Sequence, residues 1–157
     1  MNSIINLLKE TIVKNSDCMG RNYASFLTNG EVYFVGYTHH NLNNGCMSCK
    51  QKGYCERQRQ GCKSGFGYHL CPSEAVHSER HSISLAKDQG FDDLSDFSIT
   101  VVGLNSNGTL CKGLPCIHCA KAILTSGIKW VNVVNEDGTT TTFDSFDLVS
   151  YLLKKEV

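Results

Sequence analysis

Ile4, Ile5, Leu7, Leu8, Ile12 and Val13 recur at helical spacing, so residues 3–13 are expected to open the chain as an amphipathic helix. From Tyr23 the period shortens. Two strand-like runs, 23–28 and 31–37, flank Asn29-Gly30, a strong hairpin signal. Residues 38–71 then lose all periodicity and fill with Asn, Gly, Gln and Cys. An insertion of that length inside a compact domain is usually functional or stapled. Order returns with a helix between Ser73, a plausible N-cap, and Gly90, a stop. A buried strand is expected over 99–104, and a further helix runs from Pro115 as its first residue to Gly127. Strands 130–134 and 139–143 surround Glu136-Asp137-Gly138, and Asp144 with Asp147 can cap a last helix carrying Phe146, Val149, Leu152 and Leu153. The order predicts one α/β domain, a mixed sheet with helices on its faces, spanning 1–157 with a cysteine-rich insertion at about 38–71. The last two strands are joined too closely for a parallel crossover, which needs about a dozen residues, so they should pair antiparallel.

Charge and cysteine content narrow the chemistry. Lys plus Arg and Asp plus Glu both number 15, so the basic excess of a polynucleotide binder is missing and a small-molecule partner is favoured. No apolar run approaches the roughly 20 residues of a membrane span. The chain is therefore expected to be soluble and cytoplasmic. Nine cysteines, an odd number without a secretory segment, read as metal ligands in a reducing compartment rather than as a disulfide framework.

Two helix starts hold the informative residues. His77-Ser78-Glu79 lies in the first turns of one helix, and Pro115-Cys116-Ile117-His118-Cys119 opens the next. Cys116 and Cys119 share one helix face. An imidazole and two thiolates supply three ligands, and zinc takes four; the open position belongs to water in catalytic sites. Zinc lowers the pKa of that water, and helix N-termini favour the thiolate forms. Glu79, beside the metal but free of it, is placed to move protons. His118 points off the cysteine face and is expected at the surface, whereas Trp130 is expected in the core.

His-x-Glu followed by Pro-Cys-x-x-Cys is the signature of the zinc deaminases. On these residues the chain resembles the cytidine/deoxycytidylate deaminase superfamily, most of all deoxycytidylate deaminase-like proteins. Segments 55–79 (CERQRQGCKSGFGYHLCPSEAVHSE) and 115–131 (PCIHCAKAILTSGIKWV), with Gly36-Tyr37 and Gly45-Cys46, extend the likeness from Cys18 to about Val134. The resemblance implies a three-layer α/β/α fold around a five-stranded mixed sheet. It also implies zinc-dependent hydrolytic deamination of a cytosine-type base on a free, dCMP-like nucleotide or nucleoside. Zinc-bound hydroxide would attack C4 while Glu79 shuttles protons, with His77, Cys116 and Cys119 as ligands. Asn22, Thr38, Ser78 and Pro115 become candidate substrate contacts, and a homo-oligomer is implied.

Several positions depart from the pattern. Ser78 replaces the usual Ala, and Thr38 and His81 replace Asn residues near the substrate. The expected antiparallel last strands resemble free-nucleoside enzymes, whereas deoxycytidylate and polynucleotide-editing deaminases resemble a parallel version. Two alternatives stay open: a deaminase of single-stranded nucleic acid, and a non-catalytic zinc-stapled nucleotide-binding module. Cys46, Cys49, Cys55 and Cys62 have spacings compatible with a second, structural zinc, with Cys18, His69 and Cys71 as rival ligands. His39, His40 and Asn41 follow the second strand, where either substrate contact or plain solvation is compatible with the sequence; Arg57 and Arg59 could meet a phosphate, with a solvated charge as the plainer reading of each.

Overall fold

The computed structural model describes residues 1–18, 20–41, 53–54, 56–63, 66 and 74–155. Helix α1 (Asn2–Asn15) precedes the hairpin β1 (Asn22–Thr28) and β2 (Tyr33–Tyr37), then β3 (His39–Asn41) and a short α2 (Glu56–Arg59). After β4 (Glu74–Val76) come α3 (Ser78–Asp88), β5 (Ser98–Leu104), β6 (Leu110–Cys111) and α4 (Ile117–Thr125). The chain ends in β7 (Trp130–Val134), β8 (Thr140–Asp144) and α5 (Ser145–Lys155).

The main sheet runs in the order β2-β1-β5-β7-β8, with β6 as a sixth strand paired to β5. Among the described residues of this sheet only β5 and β7 pair in parallel; the other pairs, β7–β8 included, are antiparallel, the last as expected from its short connection. Helix α1 covers one face, burying Ile5, Leu8 and Ile12 against Ala24, Val102 and Leu104. Helices α3, α4 and α5 cover the other, where Leu27, Ile99, Val101, Val131 and Val133 meet Ile83, Ile123 and Leu148. The expected three-layer α/β/α arrangement is therefore present.

Several boundaries moved for local reasons. The first hairpin has a longer loop than Asn29-Gly30 alone, because Asn29 Oδ1 accepts the amides of Glu31 and Val32 at 2.9 and 3.0 Å and delays β2 to Tyr33. Residues 74–76 are strand rather than helix: β4 pairs antiparallel with β3, and α3 starts only at Ser78. Ser73 lies outside the described residues. Helix α4 begins two residues after Pro115, because Cys116, in extended backbone at φ −70 and ψ 164, takes the N-cap. Trp130 is 46% exposed rather than in the core. Its neighbours Val131 and Val133 take the face covered by α3, α4 and α5, so strand alternation sends Trp130 to the opposite face, where Lys129 Nζ lies 5.2 Å from its ring.

Candidate metal centre

Ser25 on β1 stands opposite Gly36 on β2, and α3 lands on this pair. A Cβ on Gly36 would lie 2.2 Å from the Ser78 carbonyl oxygen and 2.5 Å from the Ser82 amide, so only glycine lets the helix start come this close. Ser25 Oγ donates to the Ser78 carbonyl at 2.8 Å and lies 2.7 Å from Ser82 Oγ. Strand β4 delivers the chain to this point in extended form, and His77 becomes the N-cap of α3 at φ −81 and ψ 150. Its ring makes no capping bond; it turns toward α4 instead.

The start of α4 is positioned by backbone. The Gly113 amide donates to the Val134 carbonyl at 2.9 Å. A Cβ on Gly113 would lie 2.1 Å from the Val101 carbonyl oxygen. Cys116 then caps α4 without a side-chain capping bond, and Cys119 follows one turn on, fully buried. His118 between them is exposed, as the spacing predicted.

These two starts bring three donor atoms together. His77 Nδ1 lies 3.6 Å from Cys116 Sγ and 3.2 Å from Cys119 Sγ, and all three donors lie within 4.8 Å of one another. A tetrahedral zinc with ordinary Zn–N and Zn–S lengths holds N and S about 3.6 Å apart. The donor set therefore fits zinc in both spacing and chemistry. The hydrogen bond from Cys119, aided by His77 and opposed by burial, lowers the Cys116 pKa to about 3. The same bond and burial raise that of Cys119, which keeps its proton. Burial opposes protonation of His77, but the Cys116 contact outweighs it and raises its pKa. Zinc binding needs both thiols deprotonated and the imidazole neutral, so it would release these protons.

Glu79 is 4% exposed at the second residue of α3. Burial pushes its carboxyl pKa up, against a hydrogen bond that Ser78 Oγ donates to Glu79 Oε1. Pro115 is buried beside the cap residue Cys116. Thr38 closes the end of β2 onto β1: its amide donates to the Tyr23 carbonyl at 2.9 Å, and its Oγ1 accepts the Tyr23 amide at 3.1 Å. Asn22 is not brought to this group by its side chain. Its register partner is Leu104, on the α1 face, and its amide group closes a ring with the Cys18 backbone at 2.9 and 3.1 Å. Cys62 is half-buried beyond α2, while Cys46, Cys49 and Cys55, with His69 and Cys71, lie outside the described residues.

Sequence reasoning missed Ser25, Ser82, Gly113 and Tyr23. A serine inside an otherwise apolar strand, Tyr-Ala-Ser-Phe-Leu, was the available signal for Ser25. Tyr23, on the α3 face, has its hydroxyl pKa raised by burial and by nearby Cys111, with Glu79 adding to the shift.

Structurally the chain is similar to the cytidine deaminase from Burkholderia pseudomallei, with a TM-score of 0.60 at 18% identity over 94% of both chains. It is also similar to the cytidine deaminase from Mycobacterium leprae, with a TM-score of 0.50 at 14% identity over 92% of this chain and 95% of that one. At such identities the likeness establishes the fold. No curated protein sequence matches this chain. Residues 4–135, most of the chain, match the family described as the cytidine and deoxycytidylate deaminase zinc-binding region. With its His77, Cys116 and Cys119 cluster, the chain belongs to the cytidine and deoxycytidylate deaminase family of zinc-binding proteins.

Proposed function

We propose that the protein catalyses hydrolytic deamination of a cytosine-type base carried by a free nucleoside or nucleotide, dCMP-like substrates included. The observation that carries this reading is the buried Glu79 carboxyl two residues from His77, close enough for its charge to act on both His77 and Cys119. Bound there, zinc supplies the Lewis acidity that activates water near neutral pH. Glu79 takes the proton of the attacking water and delivers it to the ring nitrogen next to C4. It then carries the proton of the added hydroxyl to the amino group, which leaves as ammonia while C4 becomes a carbonyl. Ser78 Oγ holds the carboxylate in the orientation this relay needs. Burial keeps bulk water from competing for the protons. Thr38 and Pro115, at the same end of the sheet, would border the substrate, and Ser78 would act through Glu79. Asn22, on the opposite face, would act through the segment it ties down at Cys18.

A second, structural zinc held by Cys46, Cys49, Cys55 and Cys62 is part of the proposal, as are a homo-oligomer and a reducing cytoplasmic location suited to thiol ligands. Elemental analysis and ammonia release test the scheme together. Cys116→Ser should remove one zinc equivalent per chain. Glu79→Gln should keep zinc yet lose about 10²–10⁴-fold in kcat on cytidine or dCMP. Zinc unchanged by Cys116→Ser, or turnover unchanged by Glu79→Gln, would overturn the proposal.

A further inference from the structure

Tyr23, Gly103 and Cys111 form one row across three strands: Gly103 on β5 is the register partner of Tyr23 on β1 and of Cys111 on β6. Tyr23 packs on the face covered by α3, α4 and α5, and row partners share a face, so two side chains flank a glycine there. They lean over it. A Cβ on Gly103 would lie 2.6 Å from Cys111 Sγ, 2.6 Å from Tyr23 Cε1 and 2.8 Å from Tyr23 Cδ1. Ring and sulfur thus fill the space of the missing side chain, no more than about 5 Å apart, the separation of a favourable sulfur–aromatic contact.

Their polar ends meet as well. Burial raises the pKa of both groups, so hydroxyl and thiol stay protonated. A side-chain hydrogen bond joins them, pushing the Tyr23 value up and the Cys111 value down, the sense expected when the hydroxyl donates and the sulfur accepts. The charge of Glu79 reaches the same hydroxyl, so the pair stands beside the metal group without supplying a donor to it. Tyr23 is itself held firmly. Its amide donates to Thr38 Oγ1 at 3.1 Å and its carbonyl accepts the Thr38 amide at 2.9 Å. Strand β6, by contrast, has two residues, too few ladder bonds to fix its own position. Leu110 packs with the α1 face, which leaves Cys111 as the β6 side chain on the metal side. From Cys111 the chain runs through Gly113 and Pro115 to Cys116.

We propose that Tyr23 is a positioning residue of the metal centre: bonded to Cys111 across Gly103, it braces the approach to α4 and so sets where Cys116 and Cys119 present their thiols. A fixed residue on β1 thereby holds a short strand that cannot hold itself. The brace acts through backbone and touches neither the metal group nor a substrate. The assignment rests on the zinc centre of the deaminase reading and adds to it the residue that aligns two of the three ligands.

The test titrates metal-free protein with zinc against a chelating dye, and separately with cobalt(II), whose visible bands report the geometry of thiolate ligands. Tyr23→Phe keeps the ring over Gly103 and removes the donor. Cys111→Val keeps apolar bulk and removes the acceptor, whereas Cys111→Ser keeps an acceptor. Tyr23→Phe and Cys111→Val should each weaken zinc binding roughly threefold to tenfold, the size of one buried hydrogen bond, and shift the cobalt bands. The double variant should bind no more weakly than the worse single one, since both remove the same interaction. Cys111→Ser should keep most of the wild-type affinity and spectrum, which a loss of sulfur packing alone would not allow. If the valine prevents folding, Tyr23→Phe and Cys111→Ser decide between the outcomes. A wild-type spectrum in Tyr23→Phe, fully additive losses in the double variant, or a Cys111→Ser protein as impaired as Tyr23→Phe overturns the assignment. Wild-type protein that binds neither metal overturns the zinc centre itself, and the assignment with it.

Discussion

The two helix starts that meet at the metal centre are fastened to the sheet by different means. Helix α3 is held by side chains: Ser25 bonds to the Ser78 carbonyl and touches Ser82, which reaches the Glu79 carbonyl at 3.1 Å. Helix α4 is held by its approach, through the Gly113–Val134 backbone bond and a close pass over Val101. Both place a donor residue, His77 or Cys116, at the N-cap and leave the cap itself unmade by a side chain. Omitting such a bond typically costs about 1 kcal/mol. The difference teaches where each function is vulnerable. The carboxyl group depends on a small hydroxyl network and one glycine, while the thiols depend on the route of the backbone before them. Damage to one start should leave the other largely in place.

The largest effect is expected at Gly113. The Cβ of Gly113→Ala would fall 2.1 Å from the Val101 oxygen and 2.7 Å from its carbonyl carbon, in a central strand that cannot yield. The connection must lift, and Cys116 moves with it. Elemental analysis should show zinc falling by close to one equivalent, with stability lowered by about 1–3 kcal/mol in denaturant titration. Zinc retained at full stoichiometry would break the claim that α4 is placed by its approach. Gly36→Ala comes next, and should act on chemistry more than on metal. Its Cβ would press on Ser78 and Ser82 and displace the start of α3. Two of three ligands are on α4, so zinc should stay, but kcat should fall about a hundredfold for a displacement on the order of 1 Å. Loss of zinc with no separate loss of kcat would mean that the two starts are not independent.

The same contrast explains what the chain disclosed in advance. His77, Cys116 and Cys119 were legible because ligation restricts residue type and helix geometry restricts spacing, so the pattern survives in one dimension. The sheet was legible too, since Val and Ile runs, the Asn29 turn and the short β7–β8 connection are local signals. The anchoring was not. Ser25 meets Ser78 across 53 positions, and nothing in a serine's neighbourhood says that its partner is a distant helix. Gly36 and Gly113 could be read as flexible points, whereas each is a place where two backbones nearly touch. Strand β4 was hidden because its partner β3 lies far back in the chain, Asn41 pairing with Glu74 and His39 with Val76, and a three-residue strand has no period of its own. Trp130 was misjudged because size suggests burial, while its parity in β7 decides otherwise.

Smaller effects sharpen the comparison. Ser25→Ala removes the donor to the Ser78 carbonyl in a fully buried position, at an expected cost of about 1–3 kcal/mol. Ser82 still reaches the Glu79 carbonyl, so the start of α3 loosens without leaving the sheet, and kcat should fall less than in Gly36→Ala.

The smallest effect is expected at Asp144, which caps α5 by accepting the amides of Phe146 at 2.9 Å and Asp147 at 3.4 Å. Asp144→Ala should cost about 1 kcal/mol in a thermal or denaturant melt, the usual loss of an N-cap. Helix α5 packs on α4 but contributes no donor to the metal group. If α4 is positioned by the backbone ahead of it, weakening α5 should lower stability while zinc content and kcat stay at wild-type levels. A loss of zinc on this substitution would place part of the anchoring of Cys116 and Cys119 in the α4–α5 contact, and the division between the two helix starts would have to be redrawn.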